Sequence, residues 1–251
     1  MVDALSEHFR LVQEREALSR MMRAVGYLED LGIQYVVEGG WAVSSFGSSV
    51  ESVDLDLIVP ASQITDLHEG LVEVAGIQLD TEGGQELLGI DYRCGEDPNH
   101  LLGKTLHYVP FELLDGRVGP RLLQVGEGVQ VPVPEADVLM LMKAKAFHDR
   151  RILWGASRDP VLFAALDVDD QRWARQFDTL HWERKAGKDL FDISFLGTRG
   201  ASSDPWVGWV GDEFVSVVLE SLREVPLPLR TFAQDMARRY RLKDLKIPPK
   251  L

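Results

Sequence analysis

Between residues 33 and 59 the chain runs apolar, turns on two glycines, and runs apolar again with an aspartate at alternate positions. Ile33 to Val37 has the short apolar and aromatic texture of a buried strand, and Gly39-Gly40 ends it. Trp41 to Phe46 can form a short helix, and Val53 to Val59 is a second strand closed by Pro60. Side chains alternate across a strand, so Asp54 and Asp56 are expected to project together while Leu55 and Leu57 turn to the core. Two carboxylates roughly 7 Å apart along a strand repel each other unless a cation lies between them. Hard divalent ions such as Mg²⁺ prefer such oxygen ligands and complete their shells with substrate phosphates. Two glycines at a strand-to-helix turn let backbone N–H groups come close to phosphate oxygens, and the helix start adds a favourable dipole. A Gly-Gly turn or a D-x-D alone is commonplace. Strand, Gly-Gly, short helix and an apolar strand with D-x-D beginning fourteen residues after Gly40 form a far rarer combination.

The remainder of the chain divides by texture. Residues 3 to 31 read as an amphipathic helix stopped at Gly32, and Ser62 to Val74 as another. Strands are expected at Leu87 to Arg93, Leu106 to Leu114 and Val129 to Val133. After Glu135 the pattern turns helical, over Ala136 to Arg151, Asp169 to Arg184, Lys188 to Leu196, Asp212 to Arg223 and Leu229 to Arg241. The expectation is an α+β protein: a domain over residues 1–135 with a mixed sheet and flanking helices, then an all-helical domain over 136–251.

Composition narrows the function classes. A net charge of −13 speaks against a general nucleic-acid binder. Ser221 to Leu251 nevertheless carries eight Lys/Arg against three Asp/Glu, a local +5 on a body of −18. No apolar run approaches the roughly 20 residues of a membrane span, so no membrane partner is expected. Cys94 is the sole cysteine, which suits a reducing cytoplasm.

The Gly39-Gly40 and Asp54-x-Asp56 motif resembles that of the minimal nucleotidyltransferases of the DNA polymerase beta superfamily. Tyr108 to Leu114 offers Glu112 where such enzymes carry a third carboxylate, with Asp91 as the alternative. Asp137 to Arg150, with Lys143 and Lys145, and Arg184 to Asp192, with Lys188-Asp189-x-x-Asp192, look most like the abortive-infection toxin nucleotidyltransferases of the AbiEii type. The resemblance spans about residues 33 to 196 and implies a nucleotidyltransferase-fold mixed sheet. It further implies transfer of a nucleoside monophosphate from an NTP, with Asp54, Asp56 and Glu112 as catalytic metal ligands for two Mg²⁺ ions, or Mn²⁺. Gly39, Gly40, Ser52, Lys143, Lys145 and Lys188 would bind the nucleotide. The acceptor implied is tRNA or a protein, with a cognate antitoxin as possible partner. Val50 and Ser52 stand where many relatives have Arg and Thr. Two alternatives stay open: nucleotidylation of an aminoglycoside-type antibiotic, or a catalytically weak nucleotide-binding module.

Overall fold

The computed structural model describes residues 28–48, 55–59, 90–94, 121–126, 128–242 and 245–247, with single positions 22, 25, 26 and 63. Val50, Ser52, Asp54 and Glu112 lie outside the described residues, as do most of the expected helix over 3 to 31 and the expected strand over 106 to 114. The protein is mixed α and β and mostly helical, and it divides into two compact units, Met1–Glu135 and Ala136–Leu251.

In the first unit a helical segment ends at residues 28–30, where Gly32 takes φ 67°. The Gly32 N–H donates to the Glu29 carbonyl at 3.1 Å and the Ile33 N–H to the Leu28 carbonyl at 2.9 Å. This pair of bonds around a left-handed glycine is the Schellman closure, which satisfies carbonyls the helix leaves open. The chain then enters β1 (Val36–Val37), α1 (Gly39–Ser44), β2 (Leu55–Val59) and β3 (Ile90–Cys94). The sheet is mixed: β2 lies between β1, antiparallel to it, and β3, parallel to it. A hairpin follows, β4 (Leu122–Gly126) against β5 (Val129–Pro132), with a register irregularity between Gln124 and Gly126. Val36, Val37, Ala42, Val43, Val131 and Val133 are all buried. Arg121 fastens the hairpin to α1: its guanidinium lies 4.0 Å from the Phe46 ring centroid and donates to the Ser45 carbonyl.

The second unit is helical throughout its described residues: α2 (Ala136–Ala156), α3 (Pro160–Ala165), α4 (Val168–Gln176), α5 (Thr179–Thr198), α6 (Trp206–Val210), α7 (Asp212–Arg223) and α8 (Leu227–Arg239). Helices α2 and α5 form the central pair, α8 packs on α5, and α7 packs on α2. Leu139, Phe147, Leu190, Phe191, Ile193 and Leu196 fill the core. Trp206, fully buried, donates its indole N–H to the Asp137 carbonyl at 3.1 Å and so ties α6 to the start of α2.

Two expectations need correction here. The single helix expected over Asp169 to Arg184 is two helices, α4 and α5, because Phe177 is extended and the Asp178 side chain caps α5 by accepting the His181 N–H at 2.7 Å. The separate helix expected over Lys188 to Leu196 is the continuation of α5, which runs unbroken through Ala186-Gly187. No helix among the described residues is long and apolar enough to cross a membrane.

Candidate functional site

The glycine pair sits at the junction of β1 and α1. Gly39 has φ 65°, in the left-handed region where a side chain is unfavourable, and both glycines are buried. The helix opens at Gly39 rather than at Trp41, so the glycines form its first turn. Next to β1, β2 brings Asp56 into the sheet, and the parallel register makes Asp56 the direct Cα partner of Asp91 on β3. Two carboxylate-bearing positions that are 35 residues apart in sequence thus become neighbours on adjacent strands. Asp54, Ser52 and Glu112 fall outside the described residues. Among the described residues no three or more His, Cys, Asp or Glu side chains gather closely enough to hold a metal ion.

In the second unit the sequence-selected lysines separate. Lys143 is buried on α2, with its Nζ 3.1 Å from Asp192 Oδ2 and 3.5 Å from Asp189 Oδ1. Arg150, two turns further along α2, bonds the other Asp189 oxygen. The i, i+7 spacing does put Lys143 and Arg150 on one face, and that face meets α5. Asp189 and Asp192 are each 1% exposed and Lys143 is buried, so three members of this ion cluster lie inside the helical core, with Arg150 at its partly exposed edge. Lys145 is also buried and pairs with Asp149 one turn on along α2.

Lys188 lies elsewhere. It lines an open cleft of about 610 Å³ between the N-terminal half of α5 and α8. His181, Arg184, Lys185 and Lys188 follow the i, i+3, i+4, i+7 spacing of one helical face, and all four border the cleft. Phe232 and Met236, one turn apart on α8, form the apolar wall with Phe177. Gly187 permits that wall: a Cβ there would fall 2.5 to 3.0 Å from the Phe232 ring and its Cβ. At the rim the Phe177 and His181 rings stack at 4.0 Å with 10° between planes, and the Trp182 ring meets both edge-on. Burial lowers the His181 pKa, and the charges of Lys185 and Arg150 lower it further against an opposing pull from Asp178. His181 is therefore a neutral ring at pH 7, while Arg184, Lys185 and Lys188 supply positive charge. Among the described residues neither Arg184 nor Lys188 has a carboxylate within ion-pair distance.

Of the residues that border this cleft, the sequence resemblance names Lys188 as nucleotide-binding, while Phe177, His181 and Phe232 belong to no motif. The signal was present in the four-residue spacing on α5, which the expected break before Lys188 concealed. Comparison of the chain with protein-family models, with curated proteins and with solved structures returned no match.

Proposed function

We propose that the chain is a divalent-metal-dependent nucleotidyltransferase that moves a nucleoside monophosphate from an NTP to an acceptor hydroxyl. One observation carries the reading: β1 leads directly into Gly39 at positive φ, and the strand beside β1 holds Asp56 in register with Asp91. A glycine pair opening a helix next to paired carboxylate positions is the arrangement that this chemistry uses, with backbone N–H groups for phosphate oxygens and carboxylates for the metal. The donor set fits the metal, since carboxylate oxygens are the hard ligands that Mg²⁺, and Mn²⁺ after it, prefer. Asp54, Asp56 and a third carboxylate would hold the ions, which when bound offset the charge of the phosphates. The backbone N–H groups of Gly39 and Gly40 take phosphate oxygens. The acceptor oxygen forms the new bond to the α-phosphorus, the bond from that phosphorus to pyrophosphate breaks, and the hydroxyl proton passes to the third carboxylate. Sequence order favours Glu112 in that role, whereas strand register favours Asp91. Lys143 and Lys145 are engaged by carboxylates of their own unit, and we assign them no phosphate.

The acceptor reading follows charge. The first unit carries 8 Lys/Arg against 23 Asp/Glu, and the second 19 against 17. A polyanion such as tRNA would meet the second unit and its basic C-terminal segment more readily than the first. The acidity of the first unit also supports a second reading, a polycationic antibiotic as acceptor. A protein acceptor, a cognate antitoxin and a cytoplasmic location stay part of the proposal through the toxin-like resemblance and the single Cys94.

Calorimetry with each NTP, with and without Mg²⁺, tests the site. Asp54→Asn/Asp56→Asn should lose the Mg²⁺-dependent binding, and unchanged affinity would overturn the assignment. Labelled NTP with total tRNA and with a panel of aminoglycosides then identifies the acceptor. Transfer lost in Asp91→Asn but kept in Glu112→Gln makes Asp91 the base, and the reverse result restores Glu112. If no acceptor becomes labelled, the weak nucleotide-binding module is left standing in place of the enzyme.

A further inference from the structure

The cleft between α5 and α8 has no part in the chemistry above. It combines two features that a ligand of only one kind would not need. Lys188 stands at i+4 from Arg184 and at i+3 from Lys185, spacings at which like charges repel and disfavour the helix. A solvated helix face has no reason to be concave or to place these cations opposite Phe177, Phe232 and Met236. The one carboxylate at the rim, Asp178, already accepts the His181 N–H as the cap of α5. Inorganic anions would gain nothing from the apolar wall, and an apolar molecule would gain nothing from three cations. Flat partners are favoured over flexible chains, because Phe177 and His181 present stacked rings and His181 stays neutral. The volume, about 610 Å³, lies within the range of roughly 300 to 1,000 Å³ typical of small-molecule sites.

We propose that this cleft binds a phosphorylated, ring-bearing small molecule of the mononucleotide class, without a metal ion. Arg184 and Lys188 take the phosphate, and the aromatic and apolar wall takes the ring. All residues of the site belong to the second unit, so it stands independently of the Gly-Gly and aspartate site.

The test uses the full chain with fluorescent N-methylanthraniloyl-AMP in EDTA, displaced by unlabelled AMP, adenosine or ribose 5-phosphate. Saturable binding is expected, with AMP displacing the probe about tenfold more effectively than either fragment, since each fragment lacks one half of the recognition. Arg184→Gln/Lys188→Gln should weaken AMP at least about tenfold and flatten its salt dependence, because Arg184 is exposed, Lys188 is half-buried, and neither pairs with a carboxylate among the described residues. Asp54→Asn/Asp56→Asn should leave EDTA-resistant binding unchanged, which separates failure of this proposal from failure of the enzyme reading. Absence of saturable binding in EDTA, or equal AMP affinity in the Arg184/Lys188 variant, overturns it. Loss of binding in the Asp54/Asp56 variant overturns it too, by moving the ligand to the first unit. Ribose 5-phosphate binding as tightly as AMP would refute the ring's part.

Discussion

Lys143→Met is the sharpest probe of the helical core. Lys143 Nζ stands 3.1 Å from Asp192 and 3.5 Å from Asp189, both carboxylates being 1% exposed. At an effective dielectric of about 20 each attraction amounts to roughly 5 kcal/mol before desolvation is counted. Burying the ions costs several kcal/mol apiece, so the assembled cluster adds little net stability. Removing the lysine is a different matter. Asp189 keeps Arg150, but Asp192 is left buried with its charge uncompensated, and that state costs about 3–5 kcal/mol. Against a total of about 5–15 kcal/mol for an ordinary domain, the loss is large. Guanidinium unfolding followed by tryptophan fluorescence reads it directly, because Trp154, Trp173, Trp182, Trp206 and Trp209 all lie in the second unit and only Trp41 lies in the first. Asp192→Asn in the Lys143→Met background should recover about 1–3 kcal/mol, since it neutralises the orphaned charge. A loss below about 1 kcal/mol, or strict additivity of the two substitutions, would refute the cluster's role. So would an unchanged midpoint together with lost NTP affinity, which would return Lys143 to the phosphates.

Gly187→Ala should cost about 1–3 kcal/mol in the same unfolding assay, because the new methyl meets Phe232 near its backbone rather than at a flexible tip. It should also weaken probe binding in the cleft by displacing that wall, and a neutral result on both counts would mean that α8 shifts without cost. Stability should fall as pH drops below about 6.5, the ordinary histidine value, because His148 and His181 have lowered pKa values in the fold and the unfolded chain takes up their protons first. Burial is the main cause at both, with Lys145 and Arg151 acting further on His148 against Asp149. Chemical unfolding at pH 7, 6 and 5 should show the decline, and His148→Asn/His181→Asn should flatten it.

The first sheet was legible because its signals are local. An apolar run, a glycine pair and a second apolar run determine β1, α1 and β2 within a couple of dozen residues, and Gly32 marks the preceding helix end through a closure that uses only residues 28–33. The pairing of Asp56 with Asp91 was not legible, because register between strands this far apart is settled by the packing of the whole unit. Helix α3 is not among the expected helices although Asp159 and Pro160 form a conventional start, with Asp159 accepting the Val161 N–H at 2.8 Å. The Asp178 cap is hidden for the opposite reason: apolar periodicity continues across the break between α4 and α5. Gly187 lies in the gap between the helices expected over Asp169 to Arg184 and Lys188 to Leu196, whereas the structure places it inside α5 against Phe232 of α8, a tertiary contact that sequence periodicity does not carry.

The buried ion cluster also governs how the central helices can move. Apolar helix faces interdigitate, yet a shift by a whole turn still sets one apolar contact in place of another. Lys143 and Arg150, two turns apart on α2, engage Asp189 and Asp192, one turn apart on α5. A slip of one turn, about 5.4 Å, would set at least one of these charges against hydrocarbon. The four residues therefore act as an index mark that fixes the register of the two helices. These pairings favour motion of α2 and α5 together, with shear left to the outer helices.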